Sequence, residues 1–299
     1  MGEGTLMRRL TPVLLLLVAM VSLQAGASIA KQLFPQIGAP GTTSIRLILA
    51  AALLMVLLRP WRQPITRKTW RSIVPYGAAL GLMNFLFYQA LVSVPLGIVV
   101  ALEFTGPLAV AIFTSRRRRD LVWILLAMAG LAILLWPRST GAPLDLLGAA
   151  CALGAGVCWA LYILYGRRAG AGSGTQSVAL GIGVAAVLVA PIGLIDAGTA
   201  IFAPEILPMA LAVAVLSTAI PYTLEMVALP RMPAHVFGTL MSMEPAVGAL
   251  CGLLLLGEQL GLWQWLAIMT VIAASAGTTL SGMPRPPSDA PRRRAKKRL

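Results

Sequence analysis

The chain has 299 residues, of which 58% are hydrophobic and only 11% are charged. An ordinary soluble domain carries about 25% charged residues, so this composition excludes a soluble globular enzyme and a disordered chain. The net charge of +14 would suggest nucleic-acid binding in a soluble protein. Here the basic residues lie between apolar runs, which indicates membrane topology and argues against nucleic acid as a partner.

Apolar segments of the length that a bilayer-crossing helix needs, about 20 residues, recur ten times along the chain. They are residues 12–30, 40–58, 73–92, 96–115, 120–136, 145–165, 175–195, 206–227, 234–256 and 261–281. Backbone inside lipid must satisfy its own hydrogen bonds, and barrel strands are half as long, so we predict helices. The first segment also imitates a signal peptide, whose cleavage would leave nine spans.

The basic residues alternate between the two ends of these segments. With the N-terminus in the cytoplasm, 21 basic residues fall on the cytoplasmic side and only Lys31 and Arg138 on the outer side. An error in the number of spans would scramble this alternation, so both ends are predicted to be cytoplasmic. The Pro-rich basic tail is expected to be disordered and, with the Arg116–Arg119 loop, to contact anionic lipid.

The two halves of the chain carry a weak repeat. A shift of 138 residues superposes Pro95 on Pro233 and Pro107 on Pro245. Because each half holds five spans, the halves must insert in opposite orientations, which is typical of transporters with a site near the midplane. We predict an all-α integral membrane protein of ten transmembrane helices in two inverted five-helix repeats. The parts are a cytoplasmic N-terminus (1–11), repeats 12–136 and 145–281, a linker (137–144) and the tail (282–299).

Four ionisable residues lie inside the predicted spans: Arg46, Glu103, Glu225 and Glu244. A charge at the bilayer centre costs at least ~2.5 kcal/mol, so such residues usually face a polar interior. Arg46 and Glu103 lie about 10 Å below the same outer end. Either they pair as a structural link between helices, or Arg46 receives a substrate carboxylate and Glu103 receives a proton or an amino group.

The other two carboxyl groups differ in depth. Glu244 lies near the midplane with no basic residue at its level, so it is expected to be protonated much of the time. That property suits a proton-coupled carrier, and the alternative is a protonated carboxyl hydrogen-bonded to a neighbouring helix. Glu225 lies near the inner end of its span, where it either serves the pathway or is an interfacial carboxylate.

Pairs of uncharged polar and aromatic residues lie on one face of their predicted helices, where we expect them to line the pathway of the substrate and the proton. For the aromatic residues, helix packing or an interfacial belt is the alternative. Pro107 and Pro245 are predicted hinges, with static bends as the alternative. No cofactor or metal is expected, because the three cysteines lie in apolar segments without neighbouring histidine. The residues predicted to line the pathway are Gln24, Ser28, Asn84, Tyr88, Trp159, Tyr162 and Tyr222.

Several stretches resemble the EamA group of the drug/metabolite transporter superfamily, and more narrowly its threonine/homoserine exporters. They are VAMVSLQAGASIAKQLFP (18–35), VPLGIVVALEFTGPLAVA (94–111), LGAGVCWALYIL (153–164), LSTAIPYTLEM (216–226) and FGTLMSMEPA (237–246). The resemblance covers both halves. It implies proton-driven efflux of small amino acids, chiefly homoserine and threonine, across the bacterial inner membrane.

A zwitterionic substrate would explain why both signs of charge lie within the membrane. The nearest alternative is an EamA-type exporter of another metabolite, such as a different amino acid, a purine or an amphipathic drug. A channel or a membrane scaffold is a more distant alternative. An enzyme is not expected, because the sequence has no metal-ligand cluster, nucleophile motif or nucleotide-binding loop.

Overall fold

The computed structural model describes residues 3–62, 66–114, 121–135, 145–228 and 240–281, and in these residues it contains helices and turns but no strand. The α-helices are α1 (Glu3–Lys31), α2 (Phe34–Leu58), α3 (Arg67–Ala90), α4 (Leu96–Glu103), α5 (Thr105–Thr114), α6 (Leu121–Leu135), α7 (Leu146–Ala197), α8 (Leu207–Ala214), α9 (Ile220–Ala228), α10 (Glu244–Leu256) and α11 (Leu262–Ser281). A π-helix, Val215–Ala219, joins α8 to α9, and short 3₁₀ turns cover Pro60–Arg62 and Gly198–Phe202.

Five helical stretches are long and apolar enough to cross a membrane. They are Thr11–Lys31, Phe34–Arg62, Leu146–Gly166, Gln176–Phe202 and Leu207–Glu225. The predicted all-helical membrane class is therefore confirmed. The predicted linker, the basic tail and the Arg116–Arg119 loop lie outside the described residues.

The 52-residue α7 is twice as long as a bilayer crossing and folds back on itself. The Ser177 hydroxyl donates to the carbonyl of Ala169 at 2.9 Å, although residues eight apart in a straight helix are separated by about 12 Å. A Cβ added at either Gly166 or Gly181 would also meet the ring of Tyr76. These contacts require two arms, which match the predicted segments 145–165 and 175–195.

The first arm of α7 starts at a side-chain cap. The Asp145 carboxylate accepts hydrogen bonds from the backbone N–H groups of Leu147 and Gly148, at 3.3 and 2.9 Å. It also accepts one from the Ser93 hydroxyl at 2.5 Å. This last bond and the Gly148 N–H hold the pKa of Asp145 below its usual value. Asp145 is therefore the N-cap of this arm.

The predicted segment 96–115 is not one straight helix, since Phe104 interrupts it between α4 and α5. Pro107 lacks the N–H that would bond to the carbonyl of Glu103 one turn earlier. That carbonyl instead lies against Gly156 of α7, where an added Cβ would come within 2.6 Å of the oxygen. The glycine therefore allows α7 to approach the interrupted turn closely.

The predicted segment 234–256 is also interrupted in its described part, residues 240–256. Ser242 and Met243 form a turn, and α10 then begins with Glu244 and Pro245. The carboxyl of Glu244 thus occupies the first turn of α10, where the helix dipole favours a negative charge.

Most of the structure packs around one large apolar cluster. Buried residues from α1 to α4, the first arm of α7, α8, α10 and α11 contribute to it. Glycines allow close approach of α4 and α10, because a Cβ at Gly97 would lie 2.6 Å from Ala249 and one at Gly248 would lie 3.0 Å from Val100. Gln24, Glu103 and Glu244 lie on helices that contribute to this core.

Candidate functional site

Arg46 of α2 is buried among neutral hydrogen-bonding groups. Its Nη1 donates to the hydroxyl oxygens of Ser217 and Thr218 at 3.0 and 3.2 Å. Its Nη2 donates to the Oδ1 atom of Asn84, and the guanidinium lies over the ring of Tyr88, 4.7 Å from the ring centroid. Cation–π contact and hydrogen bonds offset part of the desolvation cost of this cation.

The π-helix shapes this arginine pocket, and the sequence explains why it forms. Pro221 has no N–H for the carbonyl of Ser217 four residues earlier, and Ile220 bonds instead to Val215, five residues back. The carbonyl of Ser217 is therefore available, and it lies 3.5 Å from Arg46 Nη1. Such π-turns occur frequently at functional sites.

Helix α1 packs directly on this π-helix. The Ser22 hydroxyl donates to the carbonyl of Leu216 at 2.7 Å. One turn further along α1, a Cβ added at Gly26 would lie 2.7 Å from the backbone nitrogen of Ser217. The π-helix whose hydroxyls contact Arg46 is thus supported by α1.

Arg46 does not pair with Glu103 as one interpretation of the sequence expected. Within the described part of the chain, the ion pair found within 4.0 Å joins Lys31 to Glu258, at 2.8 Å. The partners of Arg46 are on α3 and the π-helix, whereas the backbone of Glu103 lies against α7. The structural-link interpretation of an Arg46–Glu103 pair is therefore wrong.

Glu103 and Glu244 lie near each other because α4 and α10 run antiparallel. The amide of Leu96 donates to Glu258 just beyond the end of α10, and Gly97 and Val100 contact residues progressively nearer its start. Glu103 at the end of α4 therefore lies close to Glu244 at the start of α10. The two buried carboxyl groups interact electrostatically.

Gln24 of α1 reaches across to Glu244. Its Nε2 atom donates to Glu244 Oε1 at 3.3 Å, and both side chains are buried. This contact matches the alternative in which Glu244 is hydrogen-bonded to a neighbouring helix. It uses only one oxygen of the carboxyl group, because Glu244 Oε2 has no hydrogen-bonding partner.

Unsatisfied polar atoms concentrate on the predicted site residues. In the described residues, four buried side-chain atoms lack a hydrogen-bonding partner, on side chains that are 2% exposed or less. Buried polar groups are almost always paired, so such atoms indicate a missing ligand or water. The four are Gln24 Oε1, Arg46 Nε, Tyr88 Oη and Glu244 Oε2.

Aromatic residues connect these groups to Glu225. Tyr162 stacks on Tyr76 with ring centroids 5.1 Å apart, and both interact electrostatically with Glu225. Tyr222 lies within electrostatic range of Arg46 and Glu225, and Glu225 lies within electrostatic range of Glu244. Of the predicted residues, Tyr162, Tyr222 and Glu225 therefore share one neighbourhood with the arginine and the glutamates.

Two other predicted residues have local structural partners. Trp159 packs edge-on against Phe104, with ring centroids 5.5 Å apart, which agrees with the packing alternative. The Ser28 hydroxyl donates to the carbonyl of Gln24 in its own helix at 2.9 Å. Their place in the pathway stays a prediction. Pro107 and Pro245 follow interrupted turns, while their role as hinges also stays a prediction.

The sequence reasoning missed Ser217 and Thr218, the hydroxyl partners of Arg46. A signal was present, because a Ser-Thr pair three and four residues before a proline marks hydroxyls beside an interrupted helical turn. It also missed the Lys31–Glu258 ion pair, whose partners are 227 residues apart. In the described residues, no group of three or more histidines, cysteines and acidic residues is arranged to hold a metal ion.

Known proteins resemble this chain over most of its length. The model of the EamA-like transporter family matches residues 146–280. The threonine/homoserine exporters RhtA of Salmonella typhimurium (strain LT2) and Escherichia coli (strain K12) are 54% and 53% identical over 270 residues, or 90% of this chain and 92% of each relative. An uncharacterised protein of Pseudomonas aeruginosa is 32% identical over 238 residues, or 75% of this chain and 78% of that protein.

One solved crystal structure has the same fold. Its TM-score is 0.59 at 19% identity, and the alignment covers 92% of this chain and 98% of the solved one. The long apolar helices, the family match and the extensive identity to curated exporters agree with one another. The chain belongs to the EamA-like transporter family.

Proposed function

We propose that this protein is a secondary active transporter that exports threonine and homoserine across the bacterial inner membrane in exchange for protons. Its relatives are threonine/homoserine exporters with which it shares more than half of the aligned residues, and this similarity supports the substrate. The buried polar groups support a zwitterionic substrate independently of this similarity.

The observation that carries this proposal is the set of unpaired buried atoms. Arg46 offers an unused N–H donor and has neutral hydrogen-bonding partners, so no anion among the described residues compensates its charge. Gln24 and Glu244 offer unused acceptor oxygens. A donor site and an acceptor site of this kind complement the carboxylate and ammonium groups of an amino acid.

The architecture belongs to the same proposal: ten spans form two inverted five-helix repeats, 12–136 and 145–281, with both ends in the cytoplasm. The interruption at Phe104 and the one that starts at Ser242 are 138 residues apart, which equals the shift of the sequence repeat. Their half-helices α4 and α10 pack antiparallel, as inverted repeats require.

In the mechanism that we propose, the substrate carboxylate binds Arg46 and replaces its contacts to the hydroxyls of Ser217 and Thr218. The ammonium group binds beside Glu103 and Glu244. A proton that enters from outside then neutralises Glu244, which weakens the attraction for the ammonium group and resets the carrier. Rotation of the half-helices about the turns that precede Pro107 and Pro245 changes the side to which the site opens.

Two experiments test the function. Cells that lack their own exporters and express this chain should grow in toxic homoserine and accumulate it in the medium. In proteoliposomes loaded with homoserine, an opposing proton gradient should accelerate release, and external homoserine should stimulate exchange. Growth no better than that of cells without the chain, together with no exchange, would contradict the proposal, and exchange without any gradient effect would contradict only the proton coupling.

A further inference from the structure

The side-chain oxygen of Gln24 is an acceptor that the protein leaves unused. The amide nitrogen Nε2 is bonded to Glu244 Oε1 at 3.3 Å, which fixes the orientation of the amide group. The oxygen Oε1 is buried and has no hydrogen-bonding partner. An unpaired buried acceptor costs about 1–3 kcal/mol, so this oxygen is available to a donor that arrives with a ligand.

The surroundings of this oxygen are small and apolar. A Cβ added at Gly248 of α10 would lie 3.5 Å from Gln24 Oε1 and 3.0 Å from a methyl carbon of Val100. Glycine therefore allows α4 and α10 to pack closely beside the amide oxygen, and no described group on this side donates a hydrogen bond to it.

The chemistry of the neighbouring groups determines which substrate group this oxygen accepts. A carboxylate offers no donor and would be repelled. An ammonium group bonds preferentially to the carboxyl groups of Glu103 and Glu244, because charge-assisted hydrogen bonds are about twice as strong as neutral ones. A neutral hydroxyl remains as the donor that matches an unpaired neutral acceptor.

We infer that Gln24 determines specificity by accepting a hydrogen bond from the side-chain hydroxyl of the substrate. This inference rests on the proposed function and deepens it, because threonine and homoserine both carry such a hydroxyl. A site built around a hydroxyl discriminates strongly against the analogue that lacks it, since the buried acceptor then stays unpaired.

One compound tests this directly, because 2-aminobutyrate is the analogue of both threonine and homoserine without the hydroxyl. The purified protein in proteoliposomes exchanges radiolabelled homoserine, and unlabelled homoserine, threonine and 2-aminobutyrate compete. We expect the wild-type chain to prefer homoserine and threonine to 2-aminobutyrate by about tenfold or more. A wild-type chain that exchanges homoserine but does not discriminate would overturn the inference.

The variants Gln24→Met and Gln24→Leu remove the acceptor at similar volume. We expect the preference for homoserine and threonine over 2-aminobutyrate to fall to about twofold or less. Equal loss of exchange for all three compounds would contradict a role specific to the hydroxyl. The control Thr43→Val removes a buried hydroxyl that bonds only to its own helix, at Ala39, and should keep the wild-type preference.

Failure of the inference is distinguishable from failure of the proposed function. If the wild-type chain exchanges none of the three compounds, the proposed substrate class is wrong and the inference falls with it. If exchange is normal but unselective, only the role of Gln24 is wrong. Elution as a single species in detergent and an unchanged melting temperature show that a variant is folded, and the competition in the wild-type chain needs no variant at all.

Discussion

Arg46 is a fully buried cation whose hydrogen-bonding partners are all neutral. Desolvation of an ion costs several kcal/mol even after the protein relaxes, and three neutral side chains with one aromatic face offset only part of it. A ligand carboxylate would compensate the rest of the desolvation cost, because its two oxygens match the geometry of the guanidinium group. At the scale of single residues, these contacts support the proposal that Arg46 binds the carboxylate of the substrate.

Replacing Arg46 tests the carboxylate site. Arg46→Lys keeps the charge but loses the planar set of donors, so we expect KM for homoserine to rise about tenfold or more with a smaller change in maximal rate. Arg46→Met should also abolish the preference for threonine over threoninol, its amino-alcohol analogue. Exchange kinetics in proteoliposomes measure both effects. The exposed Arg71→Lys is the matched control, and an unchanged KM in Arg46→Lys would contradict the assignment.

Replacing Glu244 tests the proton site. Glu244→Gln keeps the size and the hydrogen bond with Gln24 but cannot gain or lose a proton. We therefore expect stimulation by the proton gradient to disappear while exchange of homoserine without a gradient persists. Glu205→Gln makes the same chemical change at an exposed position and should behave as wild type. Normal gradient-driven export by Glu244→Gln would refute the role of this residue.

Interrupted helices bring the polar groups together at the scale of single elements. Pro107 lies just after the interruption at Phe104, Pro245 lies just after the turn at Ser242 and Met243, and Pro221 lies just after the π-helix that contacts Arg46. In each case a proline removes a backbone donor, so a carbonyl becomes available or a turn changes its pitch. The proposed site therefore depends on backbone irregularity that the surrounding packing must stabilise.

Restoring a regular helix at the π-turn should separate stability from activity. Pro221→Ala supplies the missing N–H for the carbonyl of Ser217, so we expect a higher melting temperature, with a gain of up to about 3 kcal/mol. The hydroxyls of Ser217 and Thr218 would move away from Arg46, and transport should fall about tenfold or more. The control is Pro208→Ala in the first turn of α8, where proline costs nothing. Unchanged transport by Pro221→Ala would show that the π-turn is not required.

A single carboxylate joins distant parts of the chain at the scale of the whole molecule. Glu258 accepts from Lys31 Nζ and from the backbone N–H of Leu96, each at 2.8 Å. It thereby ties the end of α1 to the start of α4 and to the turn after α10. Because the ion pair is partly exposed, solvent screens it, and the bond to Leu96 contributes the larger share of the stability.

Mutations of this carboxylate should not be additive. Lys31→Met removes one of the two bonds and should cost about 1 kcal/mol or less, whereas Glu258→Ala removes both and should cost more. The double variant should resemble Glu258→Ala, since the ion pair is already lost there. Melting temperatures in detergent complete the cycle. Strictly additive effects would mean that the two side chains do not interact in solution.

Local signals in the sequence were sufficient for the membrane class and for the position of most helices. The segment predicted at 40–58 lies within α2, and those at 145–165 and 175–195 correspond to the two arms of α7. This works because lipid imposes the same requirement on every segment, namely apolar side chains and backbone hydrogen bonds satisfied within the helix. The only sequence signals of the interruptions at Phe104 and before Glu244 were the nearby prolines. A proline alone does not determine whether a helix bends or breaks, so the interruptions themselves could not be predicted.

The buried charges could also be found from the sequence, but their partners could not. The depth of Arg46, Glu103 and Glu244 along their spans identified them as site residues. An ionisable side chain at that depth almost always faces the polar interior of the helix bundle. Depth alone suggested an Arg46–Glu103 pair, whereas the tertiary structure places Arg46 beside Ser217, 171 residues away, and Gln24 beside Glu244, 220 residues away. Which helix faces meet depends on small residues such as Gly26 and Gly248 at close contacts. These contacts form only when all the helices pack together, so the tertiary structure alone decided how the site is assembled.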